Sequence, residues 1–190
     1  ESLGEPDGIN LELADRWILS KFNQAVEQTR AELDKYGMGE AAKTLYEFTW
    51  GDFCDWYIEL VNPRLYGKDE DSKQVAKQTL AFVLDGILKL LHPFTPHITE
   101  EVWHTLTQAG DDSYLAMQPY PVVRAELVDA DLDKDFDLLI GTIRTIRNLR
   151  AAAGVKPSAK IEAILKTDDA NEVRILSATQ VYLKDTAKVE

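Results

Sequence analysis

The sequence predicts a mainly α-helical protein, a bundle of four to five helices followed by a small α/β segment at the C-terminal end. Apolar residues recur at spacings of three and four over five long stretches. Glycine and proline interrupt the chain where these helices would end. Alternating residues typical of strands occur near the C-terminus. We therefore predict a linker at residues 1–10, the bundle at residues 11–153 and the α/β segment at residues 154–190.

The first helix is predicted from about Leu11 to Tyr36. The residues on its apolar stripe are Leu11, Ala14, Ile18, Phe22, Ala25, Thr29 and Leu33. Gly37 and Gly39 then provide a stop and a turn. The second helix is predicted from about Glu40 to Leu60. Proline lacks a backbone N–H, so Asn62-Pro63 is expected to end or kink this helix.

The third and fourth helices are separated by a short proline-containing turn. The third is predicted from about Ser72 to Leu91, with apolar residues on one face, and His92-Pro93 closes it. Thr95-Pro96 has the pattern of an N-cap followed by proline at the first helical position. A fourth helix is therefore predicted to run to about Gln108.

A fifth helix is predicted from about Leu132 to Ala153, and Gly154 and Pro157 end it. Three short elements follow in the predicted α/β segment. They are a strand at Ile161–Leu165, a short helix at Asp169–Ala178 and a second strand at Val181–Leu183.

Composition and charge restrict the class of protein. No apolar run is long enough to span a bilayer, and the N-terminal residues have no signal-peptide pattern. The single cysteine, Cys54, allows no internal disulfide, so a cytoplasmic location is expected. The chain starts without Met and ends in KVE, which has the look of a fragment. The net charge of −12 argues against binding to nucleic acid. The charge is unevenly distributed, however, because the range from Phe136 to Lys160 contains five basic residues and one acidic residue.

The aromatic stretch EFTWGDFCDWYIEL, residues 47–60, could be a ligand platform or the inside of the bundle. At about 100° per residue, an α-helical wheel places Asp52, Asp55 and Glu59 in one narrow sector, together with Gly51 and Phe48. Apolar residues, with Trp50 and Ile58 among them, cover most of the remaining surface. A helix with this pattern usually lies at the centre of a bundle, so the core interpretation is favoured.

Two basic clusters are candidates for contact with nucleic acid. Arginine binds phosphate through its planar fork, and a helix presenting several arginines can contact a backbone. The cluster on the fifth helix consists of Arg144, Arg147 and Arg150. The cluster on the first helix consists of Arg16, Lys21 and Arg30, close to Trp17, Asn23 and Gln24. The alternatives are a solvated or ion-paired face for the arginines and a core position for Trp17.

The sequence contains little that predicts metal binding or catalysis. His97, Glu100, Glu101 and His104 could share a face of the fourth helix. Acidic residues near a helix start are explained by the helix dipole, so no metal site is predicted. The chain has no phosphate-binding glycine loop, nucleophile elbow or H-E-x-x-H motif. No catalytic residue and no autonomous enzyme are therefore predicted.

Four segments together resemble the C-terminal part of the valyl-tRNA synthetase family. They are LADRWILSKFN (13–23), LYEFTWGDFCDWYIEL (45–60), LLHPFTPHITEEVW (90–103) and IRNLRAAAGVKP (146–157). The first and third patterns are shared with the isoleucyl, leucyl and methionyl relatives, whereas the FCDWYIE and RNLRA runs are more specific to valine. The resemblance covers about Leu11 to Lys166. Thr95, His97 and Ala152 depart from the residues common in the family.

This resemblance implies a class I anticodon-binding helical bundle followed by an α/β junction, with valine tRNA isoacceptors as the partner. In the family a coiled coil follows, and a separate catalytic domain with HIGH-type and KMSKS-type motifs uses ATP and Mg²⁺. Neither motif occurs here, so this segment is expected to lack cofactors and aminoacylation activity. The parent enzyme is expected to be cytoplasmic and monomeric.

The residues expected to contact the anticodon are Arg16, Trp17, Lys21 and Asn23, and those expected to contact the tRNA backbone are Arg144, Arg147 and Arg150. Two alternatives remain for the function. The chain could be a helical protein-interaction or architectural module, or the equivalent domain of an isoleucyl-tRNA synthetase.

Overall fold

The structure, a computed structural model, describes residues 6, 8, 10–110 and 112–190. The mainly α-helical class is confirmed. The chain divides into two compact units, Glu1–Asp129 and Ala130–Glu190. The fifth predicted helix thus groups with the C-terminal segment, whereas the sequence suggested a boundary after residue 153. Most of the predicted linker at residues 1–10 lies outside the described residues.

The first unit consists of α-helices and one π-helical segment, joined mostly by short turns. Its helices are α1 Leu13–Asp34, α2 Met38–Tyr46, the π segment Glu47–Tyr57, α3 Ile58–Leu65, α4 Glu70–Leu91 and α5 Pro96–Thr107. Two 3₁₀ turns, Leu115–Met117 and Ala125–Leu127, lie in the segment that follows α5. No helix in the described part of the chain is both long and apolar enough to cross a membrane.

Helix α1 has a defined start and end. At the start, the Glu12 backbone N–H donates to the Asp15 carboxylate at 3.0 Å, as part of a capping box. At the end, Tyr36 adopts a left-handed φ of 60°, and the Gly37 N–H donates to the Glu32 carbonyl at 2.8 Å. Between these ends, the side chains at 0–5 % exposure include those of Ala14, Trp17, Ile18, Leu19, Phe22, Ala25 and Val26. Helix α1 therefore contributes an apolar face to the core of the first unit.

Helix α2, the π segment and α3 run on without a non-helical residue between them. In the π segment the hydrogen bonds reach back five residues, as from the Ile58 N–H to the Phe53 carbonyl. Each residue therefore turns the chain by less than in an α-helix. Pro63 lies inside α3, which continues to Leu65, so of the two alternatives predicted at Asn62-Pro63, an end or a kink, the end is wrong.

This wider turn decides which aromatic side chains enter the core. Phe48 and Phe53, five residues apart, are both buried at 3 % and 5 % exposure, and so are Trp56 and Tyr57. The core interpretation is confirmed for Phe53, Trp56 and Tyr57, whereas Phe48, which the wheel placed in the sector of the acidic residues, is buried contrary to that placement. The core interpretation is wrong for Trp50, which is 55 % exposed, because the wheel assumed α-helical rotation.

A buried ionic network joins the start of α1 to α3. The Asp15 carboxylate is fully buried and lies 2.9 Å from the Arg64 Nη1 through each of its oxygens. The Tyr57 hydroxyl donates to the same carboxylate at 2.7 Å. Arg64 also donates to the Ser72 hydroxyl and carbonyl at the start of α4. One charged pair therefore holds three helical elements together.

The second unit contains α6 Ala130–Ala152, α7 Ala170–Ala178 and α8 Gln180–Ala187. The rings of Phe136 in α6 and Tyr182 in α8 pack with centroids 6.0 Å apart. The predicted α7 is confirmed, with the Asp169 side chain capping its N-terminus.

The strand predicted at Val181–Leu183 is wrong, because these residues form part of α8. The strand predicted at Ile161–Leu165 is reduced to one parallel bridge between Ile161 and Val189. Among the described residues, this bridge is the β-structure of the second unit.

Candidate nucleic-acid interface

Two of the predicted anticodon contacts on α1 have charged groups that reach the surface. The Arg16 side chain is 50 % exposed and its Nη2 lies 3.1 Å from the Asp129 Oδ2. The Lys21 side chain is 29 % exposed and its Nζ lies 3.9 Å from the Asp52 Oδ2. Surface ion pairs of this kind contribute about 0–1 kcal/mol, so either cation can exchange its partner for a phosphate at little cost.

The other two predicted contacts on α1 are buried. Trp17 is 1 % exposed, which confirms the alternative interpretation of this residue as core. Asn23 is also 1 % exposed, and both ends of its amide are engaged. Its Nδ2 donates to the Leu19 carbonyl at 2.9 Å, and its Oδ1 accepts from the Arg124 N–H at 2.7 Å. In this structure neither side chain is accessible to a base.

The polar face of α1 binds the segment that leads from α5 to the end of the first unit. Besides the Asn23 contact, the Ser20 hydroxyl accepts from the Asp129 N–H at 2.9 Å. The Arg30 guanidinium donates to the Pro121 carbonyl at 2.9 Å and lies 5.8 Å from the centre of the Tyr120 ring. The combination of amide, basic and aromatic groups on α1 thus has an intramolecular role, which its composition alone does not distinguish from base recognition.

The three arginines of α6 differ in their surroundings. Arg150 is 7 % exposed and donates to the carbonyls of Lys156, Ala159 and Lys188 at 2.6–3.1 Å. Arg147 is partly buried and donates to a carbonyl of α8 at 2.9 Å. Arg144 is exposed on the helix surface. Arg150 therefore organises the chain that follows α6, and Arg144 is the member of the cluster best placed to meet an external phosphate.

The histidine and glutamate cluster on α5 also has an internal partner. Glu100 accepts from the Leu115 N–H at 2.6 Å, and the His104 Nε2 lies 3.4 Å from the same Glu100 oxygen. The His92 Nδ1 lies 2.8 Å from the Thr99 hydroxyl. Within the described residues, no group of three or more potential ligands is arranged to hold a metal ion. Glu100 anchors the 3₁₀ turn that follows α5.

The structure also reveals an exposed aromatic pair, which the sequence did not predict. Tyr46, at the end of α2, is 65 % exposed, and Trp50, in the π segment, is 55 % exposed. Their ring centroids lie 6.3 Å apart with an interplanar angle of 56°. Lys43 is exposed one helical turn before Tyr46. We call these three residues, spaced by three and four positions, the aromatic stripe.

Cys54 lies four residues after Trp50 in the sequence. Burial raises the pKa of the Cys54 thiol, and the nearby negative charge of Asp55 raises that pKa further. The thiol is therefore protonated at neutral pH and is a poor nucleophile. Exposed Glu47, between the two rings in sequence, supplies hydrogen-bond acceptors.

Exposed aromatic rings beside cations are groups on which proteins stack and hold unpaired nucleic-acid bases. Residues 15–165 match the family model of the anticodon-binding domain of tRNA ligase. The match covers well over half of the chain, and the protein belongs to this family.

Its relatives carry a more specific name. The chain is 61 % identical to a valine–tRNA ligase of Nostoc sp. over its whole length, and 54 % identical to that of Synechocystis sp.. It is 39 % identical to the valine–tRNA ligase of Bacillus cereus over 90 % of the chain. The chain spans 19–21 % of the length of these relatives. The resemblance to the valyl-tRNA synthetases is thereby confirmed.

Proposed function

We propose that this chain recognises the anticodon region of valine tRNAs as the non-catalytic module of a valine–tRNA ligase. The observation that carries the proposal is the family match over residues 15–165, together with the valine-specific names of the relatives. Joining valine to tRNA, with ATP and Mg²⁺, belongs in this proposal to a catalytic domain elsewhere in a longer enzyme. We place that enzyme in the cytoplasm, as a monomer.

The proposed mechanism separates positioning from identification. Phosphate contacts orient an RNA but carry no sequence information, whereas unstacked bases are identified through ring stacking and hydrogen bonds to their edges. We assign Arg16, Lys21 and Arg144 to phosphate contacts, because each is a basic residue that is exposed or partly exposed. Of the other predicted contacts, we assign a supporting role to Trp17, Asn23, Arg147 and Arg150.

The net charge of −12 is unfavourable for RNA binding, which sets the conditions of the test. Binding should be measured at low salt with valine tRNA transcripts that carry either their own or a swapped anticodon. We expect tighter binding to the transcript with its own anticodon, and an affinity that falls steeply as salt is raised. Equal affinity for the two transcripts would rule out anticodon recognition by this chain.

The same titration distinguishes the alternative functions. A helical protein-interaction or architectural module would show no specific, salt-dependent affinity for tRNA. An isoleucine-specific domain would prefer isoleucine tRNA transcripts. The names of the relatives favour the valine assignment over this second alternative.

A further inference from the structure

We propose that the aromatic stripe Lys43–Tyr46–Trp50 is a surface on which unpaired RNA bases stack. This inference rests on the proposed function and adds to it a surface for base stacking, none of whose residues is among the tRNA contacts expected from the sequence. In place of the buried Trp17, it assigns stacking to rings that are already exposed to solvent.

The exposure of Trp50 is the first argument. The other tryptophans, Trp17, Trp56 and Trp103, are buried at 1 %, 6 % and 5 % exposure. Trp50 and Tyr46 each leave more than half of their surface in water, where an aromatic ring contributes little to folding. Their presence on the same surface is therefore not explained by the packing of the core.

The arrangement of the two rings is the second argument. At an interplanar angle of 56° and a centroid distance of 6.3 Å, the two rings are tilted neighbours and are not stacked face to face. The ring faces that remain accessible are the surfaces on which nucleobases stack. A methyl group added at the adjacent Gly51 would meet no atom within 4 Å apart from its chain neighbours and the backbone of its own helix, so no other part of the protein crowds the surface at this position.

The polar groups around the rings are the third argument, and they favour RNA over a protein partner. Lys43 is exposed one helical turn before Tyr46 and offers a cation for the phosphate of a nucleotide stacked on that ring. Glu47 offers a carboxylate that can accept from an exocyclic amino group of a base. Two isolated rings flanked by opposite charges make a poor protein interface, which needs a larger contiguous apolar centre.

Intrinsic fluorescence provides a direct test of this inference. Acrylamide will reach Trp50 and very little of the three buried tryptophans. Adding an anticodon stem-loop RNA of valine tRNA sequence should quench the accessible emission and protect it from acrylamide. In Trp50→Phe this signal should disappear, while binding measured by a mobility shift is largely retained because phenylalanine also stacks.

Alanine substitutions measure the contribution of each ring. Trp50→Ala and Tyr46→Ala should each weaken RNA binding by about 5- to 150-fold, the range found for loss of one stacked base. The matched control is Tyr66→Ala, because Tyr66 is 83 % exposed but lies outside the aromatic stripe. The RNA affinity of this variant should equal that of the unmodified protein. Circular dichroism should show the same helix content in all variants. If a variant fails to fold, the RNA-induced change in the tryptophan fluorescence of the unmodified protein tests the inference without it.

The outcomes separate this inference from the proposed function. If the RNA binds with anticodon preference, but Trp50 emission and the Trp50→Ala affinity are unchanged, the location is wrong and the function stands. If there is no anticodon preference in the unmodified protein, the proposed function itself is wrong. A Trp50→Ala effect on self-association in place of RNA affinity would identify the stripe as a contact between copies and overturn the inference.

Discussion

Replacing Arg64 by methionine should destabilise the first unit severely. The substitution keeps the length and apolar stem of the side chain but removes the cation that contacts both oxygens of Asp15. The carboxylate is 0 % exposed, so it would be left with the Tyr57 hydroxyl and the Glu12 N–H as its remaining donors. Breaking a buried pair in this way typically costs about 3–5 kcal/mol. A domain with a typical unfolding free energy of about 5–15 kcal/mol would lose a large part of its stability.

The assay is urea unfolding followed by tryptophan emission, which reports on the first unit because all four tryptophans precede residue 130. The control is Lys73→Met, which removes the 2.6 Å contact to Glu70, a side chain that is 77 % exposed. This control should leave the urea midpoint nearly unchanged, because an ion pair to a solvent-exposed carboxylate contributes little to stability. The double variant Asp15→Asn with Arg64→Met should be less destabilised than the sum of its parts. A loss of less than 1 kcal/mol for Arg64→Met would refute the electrostatic reasoning.

Three further perturbations test other parts of the fold. Burial, and then the negative charge of Asp15, raise the pKa of Tyr57 well above its ordinary 10.0. The contribution of Tyr57 to the unfolding free energy should therefore be constant below pH 10 and fall as the pH rises further. Alkaline difference spectra should show that Tyr57 ionises only when the protein unfolds. Arg150→Met should lose at least about 2 kcal/mol and speed hydrogen exchange in α8, whereas Arg144→Met should not. Gly86→Ala would place a methyl 2.3 Å from a buried phenyl ring of α1 and cost about 1–3 kcal/mol in thermal unfolding, whereas a methyl at Gly51 has open space. A neutral Gly86→Ala or Arg150→Met would contradict the packing and the carbonyl contacts described.

The helices of this protein could be predicted because they follow local rules. Periodicity and the Thr95-Pro96 and Gly154 signals located α1, α4, α5 and α6 to within about two residues. The short apolar run at Val181–Leu183 could not be assigned in this way, because three residues fit a strand and a helix equally well. In the structure these residues are helical, and the ring of Tyr182 packs against Phe136 of α6.

The candidate site was harder to predict than the fold. Arg150 and Asn23 have the composition expected of RNA contacts, but long-range hydrogen bonds to backbone groups engage them inside the protein. Trp50 was assigned to the core because the α-helical wheel assumes a constant rotation per residue. The π segment breaks that assumption, and no residue in EFTWGDFCDWYIEL signals the change by itself. The three- and four-residue spacing of Lys43, Tyr46 and Trp50 was the sequence feature that could have placed these residues on one face of the helix.

The π segment also makes chain length matter more than side-chain identity in this part of the molecule. It adjusts the rotational phase between α2, which buries Ala41 and Leu45, and α3, which buries Leu60 and Val61. Loss of a single residue between them would change the rotational phase of α3 relative to α2. The contacts of Arg64 with both oxygens of Asp15 depend on that phase. Substitution of an exposed residue leaves that phase intact, so evolution can vary the surface of this helix far more readily than its length.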